Sequence, residues 1–511
     1  MLSALIRLIR RRWTLAVLYL SRLWGHLLHL ISVTAIKTWN AGVDENNASG
    51  GNEPAAGTLE PGPQEFPSAT EDQRKQARKA FIESIDSDAV CALASKFHNG
   101  RSCRVVSRES GSFNVCFFVA FSQDEPEWVV RIPVEPALDD PWNKLLSEVS
   151  TLRYLKRNTM IPIPRVHAYG RDAELTKTGT GTQMFLIIDF ILGRPLSKKL
   201  LNEASVEHRR NFYSGLIDVL AELRSLEFPL IGSLMPNPDG SPDPVLGPVI
   251  SMSAATLHLS PRRTFASAKD YMAHQFDLVS AFFSQPVCDL TVDDIKQEVF
   301  ALHGLEPIFH QIIDPQLDKG PFVLNHTDLR SANIIVDESL RIQGIIDWEF
   351  TSTVPRQVFT PPSWITGHDS IKTNKQLHAE FRDVLDEKSR SNSACDLLRK
   401  EWYGQLDSGK SEDIVQTDVV FFVAHMLRRP TDVTDIFYEF FAKPSDEDLD
   451  AAVSDFFHNH QSLASEVQHR AEQCERYTQF LRTNGLYETE LDKLLAKGKE
   501  LEAKWGWTSS Q

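Results

Sequence analysis

The sequence predicts an α+β protein with two lobes, a small β-rich N-terminal lobe and a larger, mainly helical C-terminal lobe. Strand-forming runs are concentrated between residues 103 and 190, whereas helical periodicity dominates the chain after residue 205. A short hairpin with several acidic residues interrupts the helical part between residues 322 and 349. The length of 511 residues exceeds what one compact core usually holds, which also favours more than one lobe.

The first 40 residues form an apolar, basic leader that contains no acidic residue. Neither of its two apolar runs reaches the roughly 20 residues of a membrane span. A basic, acid-free N-terminus is typical of a mitochondrial targeting peptide, and a weak membrane anchor is the alternative. Residues 41–70 are rich in Gly, Pro, Asn and Glu, which predicts a disordered linker.

Composition excludes some classes of function. The net charge of −15 argues against a basic nucleic-acid-binding surface over the whole chain. The six cysteines are widely spaced and include no Cys-x-x-Cys pair, which indicates free thiols in a reducing compartment and no zinc site. We therefore expect an intracellular protein, either mitochondrial or cytoplasmic, whose only membrane contact would come from the leader.

The N-terminal lobe begins with a predicted helix over residues 71–96. Two strands follow in Cys103–Phe121, separated by the polar turn Glu109-Ser110-Gly111-Ser112, and further strands are predicted at Trp128–Pro133 and Phe185–Ile188. Backbone N–H groups of a glycine-containing turn can cover phosphates, although a plain hairpin turn is the simpler interpretation.

A helix is predicted between these strands, over Trp142–Arg157, because leucines and valine recur on one face. Glu148 lies on or beside that face, and a carboxylate in such a place needs a cationic partner. Arg131 on the preceding strand is the natural partner. A glutamate that faces solvent is the alternative.

In the C-terminal lobe, Ser205 is a predicted helix cap, residues 267–312 are predicted to be helical, and residues 375–511 are helical with an acidic bias. Ser445-Asp446-Glu447-Asp448 resembles a capping box, and a last helix carries Leu491 to Leu501. The acids of this region could attract a cationic acceptor, although a solvated helix face is the simpler explanation.

The stretch Phe322–Glu349 reads FVLNHTDLRSANIIVDESLRIQGIIDWE. Two β-branched runs separated by Asp337-Glu338-Ser339 predict a hairpin, which would bring Asn333 close to Asp347. Phosphoryl transfer needs one carboxylate that accepts the proton of the attacking hydroxyl, and oxygen ligands that hold Mg²⁺. Asp328 fits the first role, and Asn333 with Asp347 fits the second. Taken singly, Asp328 could cap a turn and Asp347 could end a buried strand.

This stretch resembles a known family. Its H-x-D-x-x-x-x-N spacing is that of the protein-kinase catalytic loop, with Ile-Ile-Asp-Trp-Glu in the place of Asp-Phe-Gly. The run resembles the aminoglycoside phosphotransferase and choline kinase-like family, and looks like its fungal branch. The resemblance implies a bilobal protein-kinase-like fold, with an N-lobe over residues 71–190 and a helical C-lobe over residues 191–511 that contains the catalytic loop 322–349.

The resemblance also assigns roles to single residues. It makes Asp328 the catalytic base and Asn333 and Asp347 the Mg²⁺ ligands, while His326 braces the loop. The expected nucleotide-binding residues are those of the covering turn, the phosphate-orienting ion pair and the adenine-holding hinge: Gly111, Ser112, Arg131, Glu148, Asp189 and Phe190. The sequence departs from the usual pattern at Arg131, where kinases have lysine, at Thr327, where the family often has glycine, and at Arg330, where it often has histidine.

The function expected from the resemblance is ATP- and Mg²⁺-dependent transfer of the γ-phosphate to a hydroxyl of a small molecule, with no nucleic acid as partner. The alternative is a nucleotide-binding pseudokinase or a structural protein with the same fold, in mitochondria or elsewhere. A protein kinase is disfavoured because no Ala-Pro-Glu-type segment follows Asp347. The acceptor and the oligomeric state are left open by the sequence.

Overall fold

The computed structural model describes residues 71–121, 126–179, 181–257, 259, 263–369, 375–404, 416–442, 449–489 and 492. The predicted leader, the predicted linker, the capping box at residues 445–448 and most of the predicted last helix lie outside these ranges. No helix within these ranges has the length and apolar character that a membrane crossing requires.

The N-terminal lobe is an antiparallel sheet with the strand order β1-β2-β3-β5-β4, covered by helices. Its elements are α1 (Glu71–Ser84), α2 (Ser87–Phe97), β1 (Arg104–Ser110), β2 (Asn114–Ala120), β3 (Trp128–Pro133), α3 (Pro141–Asn158), β4 (Val166–Ala173) and β5 (Gln183–Asp189). The side chains of Phe117, Ile132 and Ile187 are fully buried in the core of this lobe. The last strand of the sheet ends at Asp189.

The chain then forms short strands and the first helices of the C-terminal lobe. These elements are β6 (Arg194–Pro195), α4 (Lys198–Glu203), α5 (Val206–Ser225), β7 (Glu227–Phe228), β8 (Ser233–Met235), β9 (Val245–Gly247), α6 (Met252–Leu257), α7 (Ala268–Phe283) and α8 (Val292–Gln311). As predicted, Ser205 caps α5, because its Oγ accepts a hydrogen bond from His208 N at 3.2 Å.

The rest of the lobe contains the predicted hairpin followed by helices. These elements are β10 (Phe322–Asn325), β11 (Ile334–Val336), β12 (Ile342–Ile345), β13 (Ser352–Val354), α9 (Ser363–Thr366), α10 (Lys375–Ser389), α11 (Ser393–Tyr403), α12 (Gln416–Arg428), α13 (Val433–Ile436), α14 (Leu449–Asn459) and α15 (Gln461–Thr483). The predicted fold class, a β-rich lobe followed by a mainly helical lobe as in the protein-kinase-like fold, is confirmed.

Two predicted helical stretches are each divided in two, and polar caps explain both breaks. Residues 71–96 split at Asp86, whose side chain accepts a hydrogen bond from Asp88 N at 3.1 Å and starts α2. Residues 267–312 split between α7 and α8, where Thr291 and Asp294 form a reciprocal capping box. Each capping side chain accepts a hydrogen bond from a backbone N–H group at the start of a new helix, so the preceding helix ends before this residue.

One glycine links the end of the N-terminal lobe to the hairpin. Gly193 has a φ of 140°, and a Cβ on it would lie 2.8 Å from both Ile335 Cγ2 and the carbonyl oxygen of Val336. The following strand β6 pairs with β11, with Pro195 opposite Ile335. Only a residue without a side chain allows the chain to approach the hairpin this closely.

Candidate active site

The hairpin of β11 and β12 brings together the two predicted metal ligands. Ile334 pairs with Ile345, and Ile346 N donates to Asn333 O at 3.0 Å. Asn333 stands directly before the first strand and Asp347 follows the second. Asp347 has a φ of 68°, a left-handed conformation that is uncommon outside glycine and that is often found at functional sites.

His326 braces this turn, as expected. Its Nε2 lies 3.0 Å from the carbonyl oxygen of Ile346, and its ring lies 4.6 Å from that of the buried Trp348. Burial lowers the pKa of His326, so the ring is neutral at pH 7 and donates its Nε2 proton to Ile346 O. The bond fixes the catalytic loop against the residue that precedes Asp347.

Asp328, the predicted base, lies in the same loop as Asn333. Asn333 Nδ2 donates to the backbone oxygen of Asp328 at 2.9 Å and lies 3.4 Å from its carboxylate Oδ2. The side chain of Asp328 is 15% exposed, so it faces the cavity described below without being fully solvated. The predicted base and the predicted metal ligands are therefore brought together.

Arg330 shows that the oxygens of these three residues converge. Its Nε lies 3.3 Å from Asp328 Oδ2 and 3.3 Å from Asn333 Oδ1, and a terminal nitrogen lies 3.9 Å from Asp347 Oδ2. One cationic group thus contacts an amide oxygen and two carboxylates. These are the hard oxygen donors that Mg²⁺ prefers, and Mg²⁺ usually takes only one or two carboxylates from a protein. The donor set fits the expected metal.

A buried ion network lies behind Asp347. Arg131 contacts Glu148 through one terminal nitrogen, and through the other it lies 2.8 Å from Asp347 Oδ1 and 3.3 Å from Glu349 Oε2. Lys144 is the second cation of the network and contacts Glu349 Oε2. The predicted pair of Arg131 with Glu148 therefore forms, but it belongs to a larger network that also holds the carboxylate of Asp347.

Burial and charge oppose each other in this network. Burial raises the pKa of Glu148 to about 7, although Arg131 acts in the opposite direction. Burial lowers the pKa of Arg131, but the carboxylates of Glu148, Asp347 and Glu349 outweigh this effect and raise it well above its usual value. Arg131 is therefore permanently charged, and its contact with Asp347 Oδ1 holds that carboxylate in place.

Sequence reasoning missed Lys144, Glu349 and Asn114. Asn114 Nδ2 donates to Glu349 Oε2 at 2.7 Å, across 235 residues of chain. Lys144 offered one signal, because it lies four residues before Glu148 and hence on the same helix face. Asn114 offered none, since its role depends entirely on the fold.

These groups line a cavity of about 880 Å³ between the two lobes. Its apolar wall consists of side chains from β2, β3, β5 and the hairpin: Cys116, Phe118, Val129, Ile188, Ile335 and Ile346. Of the residues expected to bind nucleotide, Gly111, Ser112, Arg131, Asp189 and Phe190 line the cavity. Glu148 is buried behind Arg131 and does not.

The glycine turn and the hinge differ in detail from expectation. A Cβ on Gly111 would lie 3.7 Å from Asn114 O, an ordinary contact, so the turn does not require glycine. Arg78 of α1 donates to Gly111 O at 3.1 Å and holds the turn. At the hinge, Asp189 N donates to Arg165 O and Phe190 N to Glu127 O, so both amide hydrogens are already used.

Comparison with known proteins supports the family expected from the sequence. The model of the phosphotransferase enzyme family matches residues 108–357. The chain is 30% identical over 240 residues to clavilactone A biosynthesis cluster protein Y from Ampulloclitocybe clavipes, a match that covers 45% of this chain and 55% of that protein. The chain thus spans about half the length of this curated relative.

Solved structures similar to the chain include several antibiotic phosphotransferases. The ADP-bound aminoglycoside phosphotransferase APH(2'')-Ib has a TM-score of 0.38 and 17% identity, over 68% of this chain and 99% of its own. Macrolide 2'-phosphotransferase type I has a TM-score of 0.35 and 14% identity, over 69% and 92% of the two chains. The sequence match over residues 108–357 includes Asp328, Asn333, Asp347 and the ion network behind them, so the part of the chain that contains the candidate site is similar to the phosphotransferase enzyme family.

Proposed function

We propose that the protein transfers the γ-phosphate of ATP to a hydroxyl group of a small molecule in an Mg²⁺-dependent reaction. The observation that carries this proposal is the convergence of Asp328, Asn333 and Asp347 on one cationic group at the polar end of the cavity. The apolar wall supplies a surface for a purine ring, and the catalytic loop supplies a carboxylate that faces the space where an acceptor would lie.

Each residue then has a defined task. Asp328 accepts the proton of the acceptor hydroxyl, and Asn333 keeps the loop of Asp328 in register through its bond to the backbone oxygen. Asn333 and Asp347 would hold Mg²⁺, which when bound supplies positive charge against the phosphates. Arg131 orients Asp347, and Glu148 and Glu349 fix Arg131 in turn. Asp189 and Phe190 line the cavity, which supports a role beside the base of the nucleotide, with their carbonyl oxygens as hydrogen-bond acceptors.

The test measures transfer from ATP to a panel of hydroxyl-bearing small molecules, by ADP release and by the mass of the product. We expect Asp328→Asn to reduce transfer by about 10²–10⁴-fold without loss of ATP binding, because the change removes the base and preserves the shape of the side chain. Asp383→Asn, on an exposed face of α10, is the matched control and keeps full activity. Bound ATP without transfer to any acceptor would instead identify a nucleotide-binding protein without turnover. GTP used in preference to ATP would contradict the proposed donor.

A further inference from the structure

The part of the cavity contributed by the C-terminal lobe is densely charged, with four cationic residues and the four acidic residues Asp328, Asp347, Glu349 and Asp369. Asp347 and Glu349 belong to the expected metal site and to the ion network described above. We call the rest the acceptor pocket and define it by Lys198, Arg330, Arg428, Arg429, Asp328, Asp369 and the apolar side chains of Leu257 and Phe282.

Most of the charges in the acceptor pocket are already paired. Lys198 Nζ lies 2.7 Å from Asp369 Oδ2, and Arg330 Nε lies 3.3 Å from Asp328 Oδ2. Arg429 is half-exposed, and its Nε lies 3.4 Å from the carboxylate of Asp432 outside the pocket. Arg428 differs from these, because its guanidinium forms no hydrogen bond or ion pair with any residue in the described ranges.

The surroundings of Arg428 make an unpaired guanidinium costly. Burial lowers the pKa of Arg428, Asp328 and Asp369 act in the opposite direction, and Arg429 and Arg330 reinforce the effect of burial. Its intrinsic pKa is so high that the group remains charged at neutral pH. A charged group that is largely removed from water and lacks a partner destabilises the fold unless a ligand supplies the missing charge.

The position of Arg428 is fixed by a rigid support. It is the last residue of α12, where a cation is favoured by the helix dipole. One turn earlier, the buried His425 lies 3.1 Å from Ser363 Oγ through Nδ1 and 2.9 Å from Asp432 Oδ2 through Nε2. The helix dipole explains a cation at this end, but not why the side chain of Arg428 lines the cavity without a partner while that of Arg429 contacts Asp432.

We propose that the acceptor carries an oxyanionic group, a carboxylate or a phosphate, that Arg428 binds, while Leu257 and Phe282 contact its carbon skeleton. The proposal rests on the proposed function and specifies the class of acceptor. The planar guanidinium matches the two oxygens of such a group and forms short, charge-assisted hydrogen bonds with them. A polycationic acceptor would place a positive charge beside the unpaired guanidinium of Arg428 and is disfavoured.

The experiment measures the binding of four matched probes to the full chain by calorimetry, with and without Mg²⁺ and a non-hydrolysable ATP analogue. The probes are benzyl alcohols that carry a para carboxylate, phosphonomethyl, carboxamide or aminomethyl group. We expect the better of the two acids to bind at least about tenfold more tightly than the amide and the amine. Comparison of the two acids tells a carboxylate site from a phosphate site.

Variants assign this preference to Arg428. Arg428→Gln removes the preference for the acid, Arg428→Lys keeps part of it because the charge remains, and Arg390→Gln at the exposed end of α10 leaves it unchanged. If Arg428→Gln does not fold, Arg428→Lys is used instead. Compared with the wild type, we expect it to bind the acid more weakly and the amide with the same affinity. The inference is overturned if no acid binds, if the amine binds as tightly as the acid, or if the preference survives without Arg428. Binding of the acid by the nucleotide-free chain separates this result from a failure of nucleotide binding.

Discussion

The buried ion network makes a strong prediction about Arg131→Met. The side chains of Arg131, Glu148 and Glu349 are 8%, 4% and 6% exposed, so water screens their interactions little. Removing one partner of such a buried pair costs about 3–5 kcal/mol, because a carboxylate is left without its cation. Lys144 still holds Glu349, so the main loss falls on Glu148. We therefore expect Arg131→Met to reduce the free energy of unfolding by about 3–5 kcal/mol, a large part of the 5–15 kcal/mol typical of folded domains.

The double variant Arg131→Met/Glu148→Met provides the control. Replacing both partners with apolar side chains removes the stranded carboxylate, so the double variant is expected to be more stable than the single variant. Urea unfolding measures the stability of the wild type, both single variants and the double variant. Nucleotide binding stays weak in the double variant, since Asp347 has lost the cation that orients it. The reasoning would be refuted if Arg131→Met were within 1 kcal/mol of the wild type in stability. It would also be refuted if the double variant were no more stable than Arg131→Met.

Two further predictions concern Gly193 and the partly buried His378. Gly193→Ala should lower the free energy of unfolding by at least about 2 kcal/mol, because Gly193 has a left-handed φ and lies in close contact with Val336. Gly240 has a φ of 79° but open space around it, so Gly240→Ala should lower the free energy of unfolding by only about 1 kcal/mol. Equal losses in the two variants would show that the close approach to the hairpin is unimportant. Burial lowers the pKa of His378 from 6.5 to about 4. Between these two pH values the unfolded chain binds more protons than the folded chain. The free energy of unfolding therefore falls by up to about 3 kcal/mol as the pH drops from 6.5 to about 4. In His378→Gln this part of the pH dependence of urea unfolding should disappear, and an unchanged pH profile would contradict the assignment.

Local sequence patterns predicted the elements that position the site. The strand Trp128–Pro133 has the bounds expected, and the helix expected over Trp142–Arg157 spans Pro141–Asn158, because hydrophobic periodicity decides both. The hairpin that joins Asn333 to Asp347 formed as predicted, since its β-branched runs and polar turn lie next to each other in the chain.

Contacts between distant parts of the chain could not be predicted in this way. The bonds of Glu349 to Lys144 and Asn114 span 205 and 235 residues, and no repeat or spacing in the sequence marks them. The same holds for Arg428, which is 100 residues away from Asp328 in sequence and joins it in one cavity only through the packing of α12 against α7 and α9. The two divided helices were missed for a different reason, because apolar periodicity continues on both sides of a polar cap and hides it.

The most direct test of the proposed function is the calorimetric binding of ATP to the full chain, with and without Mg²⁺, beside Asp347→Ala. The carboxylate of Asp347 and the amide oxygen of Asn333 predict saturable ATP binding that depends on Mg²⁺. This binding should be lost in Asp347→Ala, while the variant remains folded. Mg²⁺-independent binding that survives in Asp347→Ala would remove the metal role of this residue. The absence of ATP binding by the wild type would contradict the proposed phosphotransferase activity.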